Sequence, residues 1–139
     1  MSDNVIVNLL LAPGLLDEVI EHAKANYPLE ACGLIVGTGS GNRFIPMINV
    51  LESSSTYEID PGSLIRTFRN LRTTGEELIA IYHSHPCGPA RPSKSDIERA
   101  YYPEAAHLIV SLANPEQPQA AAFRILDGEV HEIEVHAIV

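Results

Sequence analysis

The chain contains no tryptophan and only two cysteines, and aromatic residues make up just 6% of it. Cys32 and Cys87 form neither a C-x-x-C pair nor a disulfide framework. That argues against a small cross-linked secreted fold and fits a reducing cytoplasm. A single bridge between the two stays open, because spacing along a chain says nothing about distance in the fold. Basic residues are scarce too: nine Lys and Arg stand against eighteen Asp and Glu, for a net charge of -9 at pH 7. Arg66, Arg69 and Arg72 form the one basic group, at helical spacing, and read as a solvated helix face. Phosphate binding wants clustered cations, so nucleic acid is not an expected partner. Long apolar runs are missing as well. None approaches the ~20 residues of a membrane span. Val5 to Ala12 is interrupted by Asn8 and lacks a basic leader, so neither a membrane partner nor a signal peptide is expected.

What is present suits one domain over residues 1–139, with 45% hydrophobic content and no internal repeat. Val5 to Leu11 reads as a strand. Leu15, Leu16, Val19, Ile20 and Ala23 recur at helical spacing within Pro13 to Asn26. Cys32 to Gly37 is a short apolar run, a buried strand. Gly39 to Asn42 is a turn that returns Arg43 to Val50 as a second strand. Tyr57 to Ile59 is a short strand ended by Asp60-Pro61-Gly62, and Ser63 to Arg72 is a helix with one apolar face. Glu77 to Tyr82 reads as a central strand, and the proline-rich stretch His83 to Pro92 as a loop. A short helix follows over Ser93 to Arg99, then a strand over Ala106 to Leu112. Ala120 to Ile125 and Val130 to Val135 flank Asp127-Gly128, a hairpin signal. The expected fold class is α/β, a single mixed β-sheet flanked by two main helices.

One stretch carries chemistry. His83-Ser84-His85-Pro86 is followed by Pro92-Ser93-Lys94-Ser95-Asp96, with seven residues between His85 and Ser93 and two between Ser93 and Asp96. At the end of a strand, a period of two points both imidazoles to one side, a ready clamp for zinc. Asp96 would complete a set of two His and one carboxylate, leaving a fourth position for water, as in catalytic zinc sites. A plainer reading competes. Ser93-x-x-Asp96 also fits an ordinary helix cap, and Ser95-x-x-Glu98 matches the capping box better still. Capping does not account for the two upstream His. A water activated by zinc needs a base, and no H-E-x-x-H motif supplies one. Glu30, at the mouth of the strand Cys32 to Gly37, is a candidate, although a lone Glu in a loop is ordinarily just solvated. His22, His107, His131 and His136 read as structural or surface residues. Pro86-Cys87 is similar to part of the nucleobase deaminase signature, but His85 and Ala90 stand where Glu and Cys are required.

Taken whole, Glu30 with His83-Ser84-His85-Pro86 and Ser93-x-x-Asp96 resembles the JAMM (MPN-plus) metalloprotease family. Glu30-Ala31-Cys32-Gly33-Leu34-Ile35-Val36-Gly37 is similar to that family's first strand. The resemblance implies a JAMM/MPN-like (cytidine-deaminase-like) domain and one Zn2+ per chain bound by His83, His85 and Asp96. It implies that Glu30 holds and deprotonates the attacking water and that Ser93 donates its hydroxyl to the oxyanion. It also implies hydrolysis of the amide bond after the Gly-Gly tail of a ubiquitin-like or ThiS/MoaD-like sulfur-carrier protein, and it allows a homodimer. The short chain is most similar to the compact prokaryotic branch. Within that branch, Leu29 to Gly33 and Tyr82 to His85 resemble the peptidase that releases cysteine from a sulfur carrier. Alternatives are an inactive MPN scaffold, a RadC-like DNA-associated protein, which Gly88 would also fit, and a purely structural zinc domain.

Overall fold

A computed structural model describes residues 8–38 and 41–138. Among these described residues, seven strands form one sheet in the order β1-β7-β6-β5-β4-β2-β3. They are β1 (Asn8–Leu11), β2 (Cys32–Thr38), β3 (Gly41–Met47), β4 (Glu77–His85), β5 (Ala106–Ser111), β6 (Gln119–Leu126) and β7 (Glu129–Ala137). The helices are α1 (Leu15–Asn26), α2 (Pro61–Thr74) and α3 (Lys94–Glu98). β4 runs parallel to β5 and β1 to β7, and the other pairings are antiparallel. The expected α/β class with a single mixed sheet is the one observed. The beginning of the first expected strand, residues 5–7, and the turn residues Gly39 and Ser40 lie outside the described residues.

Alternation along the strands gives the sheet two apolar faces. Leu15, Val19 and Ala23 of α1 pack with Ile35, Ala80, Tyr82, Leu108 and Val110 on one face. Leu64, Phe68 and Leu71 of α2 pack with Cys32, Leu34, Val36 and Ile81 on the other. Gly33 lies under the Phe44 ring, where a Cβ would come within 2.6 Å of the ring edge. A larger residue there would force the ring aside. Asp127 (φ 49°) and Gly128 (φ 81°) close the β6–β7 hairpin, both in the left-handed region that a two-residue type I′ turn requires.

Several boundaries differ from the sequence reading. β4 does not stop at Tyr82 but continues to His85. Its backbone is flanked on both sides, with Cys32 opposite His83, and Ile109 and Ser111 beside His83 and His85. The prolines take effect only from Pro86 onward. β3 ends at Met47 rather than Val50, and Tyr57 to Ile59 contributes only one bridge, Asn49 to Ile59. α2 begins at Pro61, not Ser63. Asp60 caps it by accepting from the Ser63 N–H, and proline is well suited to the first turn.

Candidate metal centre

His83 and His85 stand two apart on β4 and so face the same side of the sheet, the α2 side. α3 brings Asp96 to them. Ser93 is the N-cap of α3: its hydroxyl accepts from the Asp96 N–H at 3.1 Å, and Asp96 Oδ2 accepts from the Ser93 N–H at 2.9 Å. The capping box is therefore Ser93–Asp96, not the Ser95–Glu98 pair that the sequence favours. Pro92 and Ser93 hold an extended entry to the helix, and that reciprocal pairing turns the carboxylate inward.

The three side chains converge. His83 Nε2 and His85 Nε2 are 3.1 Å apart, and each is 3.1 Å from Asp96 Oδ2. Among the described residues these three form a cluster with ligand atoms all within 4.8 Å of one another. Zinc bound tetrahedrally at about 2.0–2.1 Å holds its ligands roughly 3.3 Å apart, close to the 3.1 Å edges here. The donor chemistry fits as well. His85 Nδ1–H donates to the Pro89 carbonyl at 2.7 Å, which fixes the tautomer and leaves a lone pair on Nε2. His83 Nδ1 is buried without a partner among the described residues. Tyr57 stacks on the His83 ring with centroids 4.6 Å apart, fixing its plane.

The electrostatics follow the geometry. Burial holds His83 below the ordinary imidazole value, against the opposing pull of Asp96, so its neutral, ligating form is favoured. Burial is also the largest single influence on His85, but Asp96, the Pro89 carbonyl and Glu30 together outweigh it and raise the value. Burial pushes Asp96 up, yet hydrogen bonds from His83, His85 and Ser93 hold its carboxyl well below the usual carboxylate range.

Glu30 is only 4% exposed. It lines a cleft of about 670 Å³ together with His85 and Ser93. Its Oε1 is buried and has no hydrogen-bond partner among the described residues. Burial pushes its carboxyl up to about 7, with His85 lowering it and Asp96 raising it. The backbone on either side is tied down. Glu30 N–H donates to the Ser53 carbonyl at 2.8 Å, and the Ala31 N–H donates to the Ser84 hydroxyl at 2.8 Å. Asn49, which the sequence reading passed over, donates from Nδ2 to the carbonyls of Glu30 and Thr56, and its Oδ1 accepts from Leu51 and Glu58. A polar residue inside the apolar stretch Met47 to Leu51 was the available signal for it. The Ser93 hydroxyl lends a lone pair to the cap, and its own proton has no acceptor among the described residues.

The remaining histidines stand apart from this cluster. His22 packs edge-on against Phe44 and Tyr82. His131 and His136 are exposed beside Glu129 and Glu134. His107 is buried, with its value driven down to about 4 by burial and then by the charge of His83. Both cysteines are free, Cys32 buried and Cys87 exposed, so the bridge left open by the sequence is not formed. Among the described residues no helix is long and apolar enough to cross a membrane.

Known proteins share this arrangement of elements. The family described as prokaryotic homologs of the JAB domain matches residues 12–126. A CysO-cysteine peptidase of Mycobacterium tuberculosis is 32% identical over 133 residues, covering 94% of this chain and 91% of the relative. A probable TtuB-protein conjugate cleaving protease of Thermus thermophilus is 43% identical over 93 residues, covering 66% of this chain and 63% of the relative. The solution structure of a protein from Desulfitobacterium hafniense superposes with a TM-score of 0.82 at 32% identity, covering 94% of this chain and 93% of that one.

Proposed function

The chain belongs to the prokaryotic JAB-domain family and is a hydrolase of the JAMM/MPN type, and from that premise we propose that it is a zinc peptidase. It hydrolyses the amide bond that follows the Gly-Gly terminus of a ubiquitin-like or sulfur-carrier protein. Residues 1–139 act as one domain in the cytoplasm, where two free thiols persist. The observation that carries the reading is the convergence of three acceptor atoms at 3.1 Å beside a buried Glu30 whose Oε1 has no partner among the described residues.

His83, His85 and Asp96 would hold the metal. Zinc bound there would polarise the scissile carbonyl and lower the pKa of water toward about 7. The chain's own residues do the rest. Glu30 Oε1 orients a water and takes its proton, a task suited to a buried carboxyl with no hydrogen-bond partner among the described residues. The same carboxyl then returns the proton to the leaving amine, so the acid and base steps balance on one side chain. Ser93 turns its uncommitted hydroxyl proton toward the developing oxyanion, a contact typically worth about 3 kcal/mol in such sites. A Gly-Gly tail carries no side chains, so it can approach the centre in an extended form. The names of two relatives, one a peptidase of CysO-cysteine and one a protease of TtuB conjugates, support a carrier-protein substrate.

The test uses purified protein and carrier–Gly-Gly–X fusions. About one zinc per chain and cleavage directly after Gly-Gly are expected. Full cleavage after chelation, with metal loss verified, overturns the mechanism.

A further inference from the structure

We propose that Arg91 reads the leaving group: its guanidinium binds the free α-carboxylate of a single amino acid attached to the carrier's Gly-Gly. This rests on the peptidase reading above and narrows its substrate class.

The argument starts from which side of the scissile bond faces which cleft wall. Glu30 must reach the leaving nitrogen to protonate it, and of the two clefts it lines, the one that also holds His85 and Ser93 is taken as the seat of the leaving group. That cleft is shared by His85, Ser93 and Arg91. Glu30 is the one carboxylate on its wall and Arg91 the one Lys or Arg. Elsewhere in this acidic chain the cations are engaged where acids stand near: Arg43 pairs with Glu76 at 2.8 Å and Arg99 lies 3.8 Å from Glu58. Among the described residues Arg91 makes no ion pair. That includes Glu132, which lines a second groove together with Arg91.

The backbone that carries Arg91 is built into the metal centre. The Pro89 carbonyl accepts from His85 Nδ1 at 2.7 Å and from the Arg91 N–H at 2.8 Å. The Ser111 hydroxyl anchors the same loop at the Gly88 carbonyl, at 2.6 Å. Pro86, Pro89 and Pro92 stiffen it further. The Arg91 backbone is therefore held at a fixed remove from His85, and the exposed side chain swings from that anchor.

A free amino acid in amide linkage carries its carboxylate one carbon from the scissile nitrogen. A lysine side chain in an isopeptide bond offers only methylenes there, and an internal peptide bond offers a neutral carbonyl. Arginine's planar fork is matched to a carboxylate and poorly matched to either alternative.

The experiment compares three substrates with the zinc-loaded protein: a sulfur carrier ending Gly-Gly-Cys, the same carrier ending Gly-Gly-Cys-amide, and a carrier joined through Gly-Gly to a lysine side chain. Wild type should favour the acid over the amide by roughly tenfold to a hundredfold in kcat/KM, the scale of a charge-assisted contact. Arg91→Gln should bring the acid-to-amide ratio close to one, mainly through KM, with zinc content unchanged, and Arg91→Lys should restore part of the preference. Equal cleavage of acid and amide by wild type, a preference that survives Arg91→Gln, or faster cleavage of the lysine conjugate overturns the assignment of Arg91 alone. Failure of wild type to cleave all three overturns the peptidase reading, and this inference with it.

Discussion

Ser84, between the two clustered histidines His83 and His85, is hydrogen-bonded to Ala31 in both directions. Its hydroxyl accepts from the Ala31 N–H at 2.8 Å, and its own N–H donates to the Ala31 carbonyl at 3.0 Å. The residue separating the two histidines therefore fixes the residue next to Glu30. One side of β4 presents the imidazoles while the other ties down the strand that delivers the carboxylate.

Removing that hydroxyl separates the two tasks. Ser84→Ala leaves the Ala31 N–H buried and unpaired, which should cost about 1–3 kcal/mol of stability. Glu30 is then held less firmly, and kcat should fall about tenfold or more, because small misplacements of a reacting group are costly. Zinc stoichiometry should stay near that of wild type. Urea melts, elemental analysis and steady-state kinetics check the three parts. Loss of metal would show that Ser84 supports the ligands rather than Glu30.

Glu30→Gln preserves shape and removes the proton acceptor. The variant should bind zinc as wild type does and lose roughly 10²- to 10⁴-fold in kcat, the range for a positioned acid–base group. Kinetics beside zinc analysis decide it, and near-normal turnover would remove Glu30 from the mechanism.

The same substitution should change the stability of the metal-free protein in a pH-dependent way. Burial raises Glu30 from 4.5 to about 7 in the folded chain. Between those values the folded state holds a proton that the unfolded state has released. Stability therefore falls as pH rises from about 4.5 to 7 and stays lower above that range. Glu30→Gln escapes the loss. It should be more stable than wild type by about 2–3 kcal/mol at pH 8, with the difference closing near pH 4.5. Denaturant melts of chelated protein at both pH values test this, and a difference independent of pH contradicts it.

Zinc should stabilise the fold through His83, His85 and Asp96. At a thousandfold excess over its dissociation constant a ligand adds about 4 kcal/mol, enough to raise Tm by about 10 °C or more in a domain of this size. Asp96→Asn should blunt the shift and His83→Ala should abolish it. Thermal melts with and without added zinc give the answer.

Asn49→Ala should be among the more damaging substitutions outside the ligand set. It removes two donations, to Glu30 and Thr56, and two acceptances, from Leu51 and Glu58. A loss of about 2–4 kcal/mol is expected for several buried partners left unpaired at once. Chemical denaturation measures it.

The grouping of His83, His85 and Asp96 was legible because its spacings are local. A period of two on a strand and a one-turn step into a helix are properties of neighbouring residues. Glu30 was not legible in that way. It reaches the cleft only because Cys32 pairs with His83 across β2 and β4, a register that no local pattern encodes. The resemblance to a known family supplied it instead. Asn49 and Tyr57 were missed for the same reason, since their partners lie in other elements. The end of β4 was misjudged because prolines after His85 were weighed above the strands on either side of it, whose backbone groups extend the ladder to His85. The capping box was misassigned because Ser95–Glu98 has the preferred residue types, while geometry selected the serine preceded by proline.

The capping arrangement of α3 has a kinetic consequence. One oxygen, Asp96 Oδ2, both closes the N-terminus of a five-residue helix and faces the two imidazoles. A helix of that length has little cooperativity of its own. Its opening would withdraw the proposed ligand Asp96, and the departure of an ion would in turn free its capping carboxylate. Amide exchange in the first turn of α3 should therefore slow as the centre fills, making this short helix a spectroscopic gauge of occupancy on the protein itself.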